Sequence, residues 1–135
     1  MGKIGLNICS LFIIFLFSLL FAYCSDYSVH LGNNYTYAHE GIGGNRIFHE
    51  HPAKGGEIPP DVISYGYDKQ FIIAKQKPNE FDSAYETEYV YSLGRDTVYY
   101  WLIIKEEQKV FGPMDINEFN EAKKRYDVPD ELKLE

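Results

Sequence analysis

Cysteine is almost missing from this chain. There are two, Cys9 inside an apolar N-terminal run and Cys24 at its end. Once that run is cut away no pair is left for a disulfide, so the rest must hold together by packing, even in an oxidising compartment. Cations are scarce too: 13 Lys and Arg face 20 Asp and Glu. That balance excludes the basic stripes that grip nucleic acid and the polybasic clusters that dock on anionic lipid. It suits a small domain kept soluble by its charge. The common catalytic signatures are missing as well. Ser25, Ser28, Ser64, Ser83 and Ser92 sit in no Gly-x-Ser-x-Gly elbow. There is no His-Glu-x-x-His, and the glycine-rich stretch 41–44 leads into no P-loop lysine. No motif implies a cofactor.

What is present begins with residues 4–24. They are uncharged and end in Phe21-Ala22-Tyr23-Cys24; Lys3 and the amino terminus supply a short positive start. The ending resembles the four-residue box of bacterial lipoprotein signals, an aliphatic residue, a small one, Gly, Ala or Ser, then Cys. Ala22 and Cys24 match, Phe21 is a tolerated variant, and Tyr23 stands where a small residue is usual. The resemblance implies a diacylglyceryl group on the Cys24 sulfur, cleavage before that residue, and palmitate-type chains as the membrane anchor. Each buried methylene contributes about 0.8 kcal/mol, and two chains hold where one does not. Two other readings stay open. Cleavage after Ala22 would release a soluble protein, and an uncut segment has roughly the 20 residues a membrane helix needs.

The expected organisation is a signal peptide over 1–23, a lipidated cysteine and short tether over 24–27, and a single β-rich domain over 28–135. Such a length buries one core. Only Lys3 among the cations falls in the leader, so the exported part sets 12 cations against 20 acids, a net charge of −8. A tether of Ser25 and Asp26 spans less than about 10 Å, which would hold the domain against the membrane. Ser25 resembles the residue that sends lipoproteins on to an outer membrane in cells that have two.

Alternation and turn residues predict strands. Residues 27–31 and 35–40 flank Gly32-Asn33-Asn34, a hairpin signal. Residues 41–45 form a second turn before a short strand at 46–50, and 51–60 read as a loop ending in Pro59-Pro60. In 61–67, Val62, Ser64 and Gly66 alternate with Ile63, Tyr65 and Tyr67. Phe71-Ile72-Ile73-Ala74 is apolar on both faces, which predicts a central strand. Residues 85–92 alternate tyrosines with acids, which predicts a half-exposed strand. The strongest strand signal is 97–105, and a short strand at 109–111 is expected to stop at Gly112-Pro113. Asp115 with Glu118 resembles a capping box. The helix it opens carries Phe119 and Tyr126 on one face and ends near Asp127, with Leu132 or Leu134 placed to fold back. The expected fold is α+β, mainly β: an antiparallel meander sheet or open barrel with one C-terminal helix, preceded by an N-terminal signal helix.

The leader ending in Cys24, Ile58-Pro59-Pro60-Asp61-Val62, Tyr67-Asp68 before Ile72-Ile73-Ala74-Lys75-Gln76, Tyr100-Trp101-Leu102-Ile103, and Gly112-Pro113 before Glu118-Phe119 together carry a resemblance. The chain resembles a family of short bacterial lipoproteins of unknown function, over most of the exported part. The resemblance implies a cell-envelope location and a β-rich fold, and it carries no activity.

Two groups of residues are candidates for a site. Tyr85, Tyr89 and Tyr91 share a predicted strand face, with Tyr65, Tyr67 and Trp101 placed to join it. Aromatic faces of this kind stack sugars or anchor partners, and they also pack sheets. His49 and His51 fall on one side of a strand, and His39 across a hairpin would complete a tetrahedral zinc set. The plainer alternative is solvated histidines flanking a glycine turn. Glu86 and Glu88 form an acid pair of a kind far commoner on exposed strands than in catalysis. The reading is a membrane-anchored envelope module, non-enzymatic, with an envelope protein or glycan as partner. A small metal-dependent or carboxylate-based envelope enzyme and an inhibitor or immunity-type protein are the alternatives.

Overall fold

The computed structural model describes residues 26–41, 44–51, 56–78 and 89–135. The leader, Cys24 and Tyr85 lie outside them. Eight strands are followed by one helix: β1 (Tyr27–Gly32), β2 (Tyr35–His39), β3 (Arg46–His49), β4 (Glu57–Ile58), β5 (Val62–Tyr67), β6 (Phe71–Gln76), β7 (Tyr99–Ile104), β8 (Lys109–Met114) and α1 (Ile116–Arg125). The expected antiparallel meander is there, divided into two open sheets in the orders β1-β2-β3-β4 and β5-β6-β7-β8. The first hairpin closes through Asn33 and Asn34, both at positive φ, which matches the right-handed twist of its strands.

Three layers result. Leu31, Tyr35, Tyr37, Ile47 and Ile58 of the first sheet meet Val62, Ile72, Ala74, Trp101 and Ile103 of the second. On the second sheet's other face Phe71, Ile73 and Leu102 pack against Phe119 and Val128, with Tyr126, Leu132 and Leu134 alongside. This is why β6 and β7 read as apolar on both faces: each is covered twice. Burying side chains of this size contributes about 1.5–3 kcal/mol apiece.

The helix begins and ends with satisfied caps. Asp115 Oδ1 accepts from the Glu118 amide at 2.8 Å, and Glu118 Oε2 accepts from the Asp115 amide at 2.9 Å. At the other end Asp127 takes φ 54°. The Asp127 amide donates to Lys124 O and the Val128 amide to Lys123 O, a Schellman closure with aspartate where glycine is usual. Beyond it, Glu135 exchanges backbone hydrogen bonds with Tyr65 at 3.1 and 3.3 Å. The tail thereby covers the free edge of β5, the feature most exposed to unwanted pairing. Gly66 makes the crossing possible, because a Cβ there would sit 1.9 Å from Lys133 O.

Four local expectations change. A bulge between Val62 and Ser64 breaks the alternation in β5, so Val62 joins Tyr65 at the intersheet core while Gly66 faces the tail. β8 runs on through Gly112-Pro113 to Met114; as an edge strand it needs no donor from proline. The 51–60 loop contains β4, which pairs Ile58 with Ile47. The strand expected over 85–92 is not formed in its described part, residues 89–92. There the tyrosines are fixed by their side chains instead of a ladder.

Lys105 ties the layers together. It is 2 % exposed, and its Nζ donates to Leu31 O at the end of β1 and to Asp68 O in the β5–β6 turn. Burial pushes this ammonium below the usual lysine range, and Asp68 offsets part of that effect.

Candidate functional site

Trp101 is completely buried. Its Nε1 donates to Gln76 Oε1 at 2.8 Å, while Gln76 Nε2 donates to Pro60 O at 2.7 Å and to Tyr91 Oη at 3.2 Å. Tyr89 stands edge-on to the Trp101 ring at 5.2 Å and donates its hydroxyl proton to Glu57 O at 3.0 Å. Tyr99 Oη accepts from the Leu93 amide and donates to Gly94 O. Three residues of the expected aromatic face, Tyr89, Tyr91 and Trp101, are therefore brought together, but inward. They pin the 89–98 segment to the sandwich, and Trp101 is out of reach of any partner. Tyr85 falls outside the described residues.

Tyr65 and Tyr67 join a different group. Tyr65 stacks on Tyr37 at 4.4 Å, Tyr37 approaches Tyr27 at 6.2 Å, and Tyr27 stacks on His39 at 4.8 Å. Burial raises the Tyr37 phenol to about 12, with Tyr27 and Tyr65 adding to the effect. Burial raises Tyr35 and Tyr65 as well.

The three histidines do not assemble a metal set. Tyr35, not His39, lies opposite His49 in the β2–β3 ladder. His39 is four residues farther along β2, about 13 Å away at strand rise. Among the described residues no three potential ligands converge. His49 is 3 % exposed and packs edge-on to Tyr35 at 4.8 Å. The His51 amide donates to His49 Nδ1 at 3.1 Å, which places the ring's lone pair on Nδ1 and its proton on Nε2.

That proton has nowhere to go: His49 Nε2 is buried with no hydrogen-bond partner. The same is true of Arg46 Nε. Both residues line one cleft of about 500 Å³, completed by Phe48, Glu50, Gly56, Glu57 and Tyr89. Arg46 is held by its terminal nitrogens, Nη1 to Glu57 at 3.5 Å and Nη2 to Glu40 at 3.6 Å. Its guanidinium lies 5.0 Å from the Phe48 ring centre. The wall opposite β3 belongs to Tyr89, whose position depends on the Gln76–Trp101 pairing behind it. The two donors do not share a face: three residues apart on β3, Arg46 and His49 point to opposite sides of the sheet, His49 towards Tyr35 and Arg46 over the Phe48 ring.

Of the residues singled out from the sequence, His49 and Tyr89 reach this cleft. Arg46, Phe48 and Glu57 escaped notice because the cleft is assembled across β3, β4 and the 89–98 segment, which no sequence spacing relates. The outlying hint was Arg46 itself, a charged residue opening a short strand.

Neither a curated protein nor a solved structure matches the chain. A family model described as "Protein of unknown function (DUF3997)" matches residues 32–135, which take in β2–β8, the helix and every residue lining the cleft. The chain belongs to the DUF3997 family.

Proposed function

We propose that this protein is a non-enzymatic binding module of the cell envelope, tethered by lipid on Cys24, with the Arg46–His49–Tyr89 cleft as its ligand seat. The observation that supports the seat is the cleft itself, about 500 Å³, walled by the half-buried rings of Phe48 and Tyr89 with the Arg46–Glu57 ion pair on its polar side. The tether is supported by the uncharged leader ending in Cys24, and the acidic balance of the exported part keeps it off anionic surfaces.

Tether and seat are tested separately. Wild type is expected to take up labelled palmitate, while Cys24→Ala does not; equal labelling overturns the tether. For the seat, the full chain is titrated by NMR with a mixed fragment library of neutral, anionic and cationic compounds. Signals of Arg46, Phe48, Glu57 and Tyr89 are expected to move first. Hits that all map elsewhere overturn the cleft as the binding site.

A further inference from the structure

We infer that the end of the sandwich where β1 starts lies against the bilayer, with Tyr27, Ile63, Leu93 and Ile116 seated in the lipid interface; this rests on the lipid tether at Cys24. The strand registers gather these four residues at one end. Tyr27 pairs with His39, and the next ladder brings Ala38 to Arg46. Asn45, beside Arg46, accepts the Val62 amide, which sets the start of β5 there, with Ile63. Val62 pairs with Gln76, and Gln76 with Tyr99. The Leu93 amide donates to the Tyr99 hydroxyl. Tyr100 pairs with Met114, just before Ile116 opens the helix.

Tyr27, Ile63, Leu93 and Ile116 are 53, 54, 61 and 46 % exposed. Apolar side chains exposed singly over a surface need no partner. Among the described residues six large ones are exposed, and these four share one end; Val90 lies on the 89–98 segment and Tyr67 towards the other end. The turns of that other end are polar. They hold Asn33-Asn34, Lys69-Gln70 and Glu106-Glu107, all exposed, and Lys105 draws them together through Leu31 O and Asp68 O.

The tether says what covers the apolar end. Only Ser25 and Asp26 separate Cys24 from Tyr27, a reach of less than about 10 Å, so acyl chains on Cys24 hold this end at the headgroups. A domain tied this short can lie on its side or stand on this end, and the exposed apolar side chains select the second. The far turns then sit a strand's length away, about 17–20 Å. Tyrosine suits the interface, where the ring is buried and the hydroxyl stays wet. Charge does not drive the contact. Arg46 is paired with Glu40 and Glu57, Lys77 with Asp96, and Arg95 lies over the Tyr91 ring. Residues 42–43 and 79–88, which adjoin this end along the chain but lie outside the described residues, contain no Lys or Arg.

The test is site-directed spin labelling of the lipidated protein on vesicles. With the leader removed and Cys24 acylated, an introduced cysteine is the one free thiol. Ile63→Cys, Leu93→Cys and Ile116→Cys probe the apolar end, and Asn34→Cys and Glu107→Cys the polar end. Each nitroxide is relaxed by oxygen, which partitions into lipid, and by a nickel chelate, which stays in water. On neutral phosphatidylcholine the oxygen-to-nickel ratio is expected to be severalfold higher at the apolar-end sites than at the polar-end ones, and anionic lipid should not raise it. Should one labelled site unfold, as read by circular dichroism, the other two at that end decide. Equal ratios at both ends of the acylated protein overturn the orientation and leave the tether standing. A difference seen only with anionic lipid overturns the apolar contact. Mass spectrometry showing no lipid on Cys24 removes tether and orientation together.

Discussion

Replacing Gln76 by leucine tests the arrangement that shapes the cleft's far wall. Gln76 is fully buried and spends its whole amide: Oε1 accepts from Trp101, and Nε2 donates to Pro60 O and Tyr91 Oη. Leucine fills a similar volume, so the cavity cost is small. The buried Trp101 N–H and the half-buried Pro60 carbonyl lose their partners, at about 1–3 kcal/mol each. The expected loss is about 2–5 kcal/mol. Trp101→Phe leaves Gln76 Oε1 without its donor in the same way. In the double variant that donor and that acceptor are removed together, so the combined loss should fall short of additive by about 1–3 kcal/mol. Denaturant unfolding followed by far-UV circular dichroism measures all three, since Trp101 is the single tryptophan and cannot report on its own replacement. The variants should move the midpoint and leave the slope unchanged. A Gln76→Leu loss under about 0.5 kcal/mol, or strict additivity, would refute a buried amide network.

Three more outcomes are expected. In Gly112→Ala the new Cβ would lie 2.5 Å from the Trp101 ring, at φ 142°, so overpacking and backbone strain together should cost about 2–5 kcal/mol in denaturant unfolding; a neutral variant would show that β8 lies farther from the indole. Lys105→Met deprives Leu31 O and Asp68 O of their donor and should destabilise by about 1–4 kcal/mol; a gain in stability would mean that the desolvation of the ammonium outweighs its bonds. Because the Tyr37 phenol is raised from 10.0 to about 12 in the fold, the folded state holds that proton more tightly. The contribution is complete below pH 10.0 and is lost as pH climbs towards about 12. Tyr37→Phe should flatten the fall in unfolding midpoint across that window, and identical slopes would contradict the shift.

Much of this architecture was legible because local signals agreed. Asn33-Asn34 closes its hairpin, the 71–74 run is buried on both faces, and Asp115 and Glu118 cap the helix as their spacing implies. What failed did so for identifiable reasons. A meander does not announce where it divides into two sheets, since every turn in it looks alike. A one-residue bulge after Val62 silently reverses a face. The alternating tyrosines before Ser92 mimic a strand, whereas Tyr89 and Tyr91 are turned inward by bonds to Glu57 O and Gln76. Histidines near in sequence suggested a metal set, yet antiparallel pairing puts Tyr35 opposite His49. The cleft is assembled from β3, β4 and the 89–98 segment, and that can be read only from packed side chains.

The most direct measurement is the NMR titration of the full chain with the mixed fragment library. The account predicts that the first signals to move belong to Arg46, Phe48, Glu57 and Tyr89, which line the cleft. Fragments that bind while these four signals stay in place would contradict the cleft as the seat.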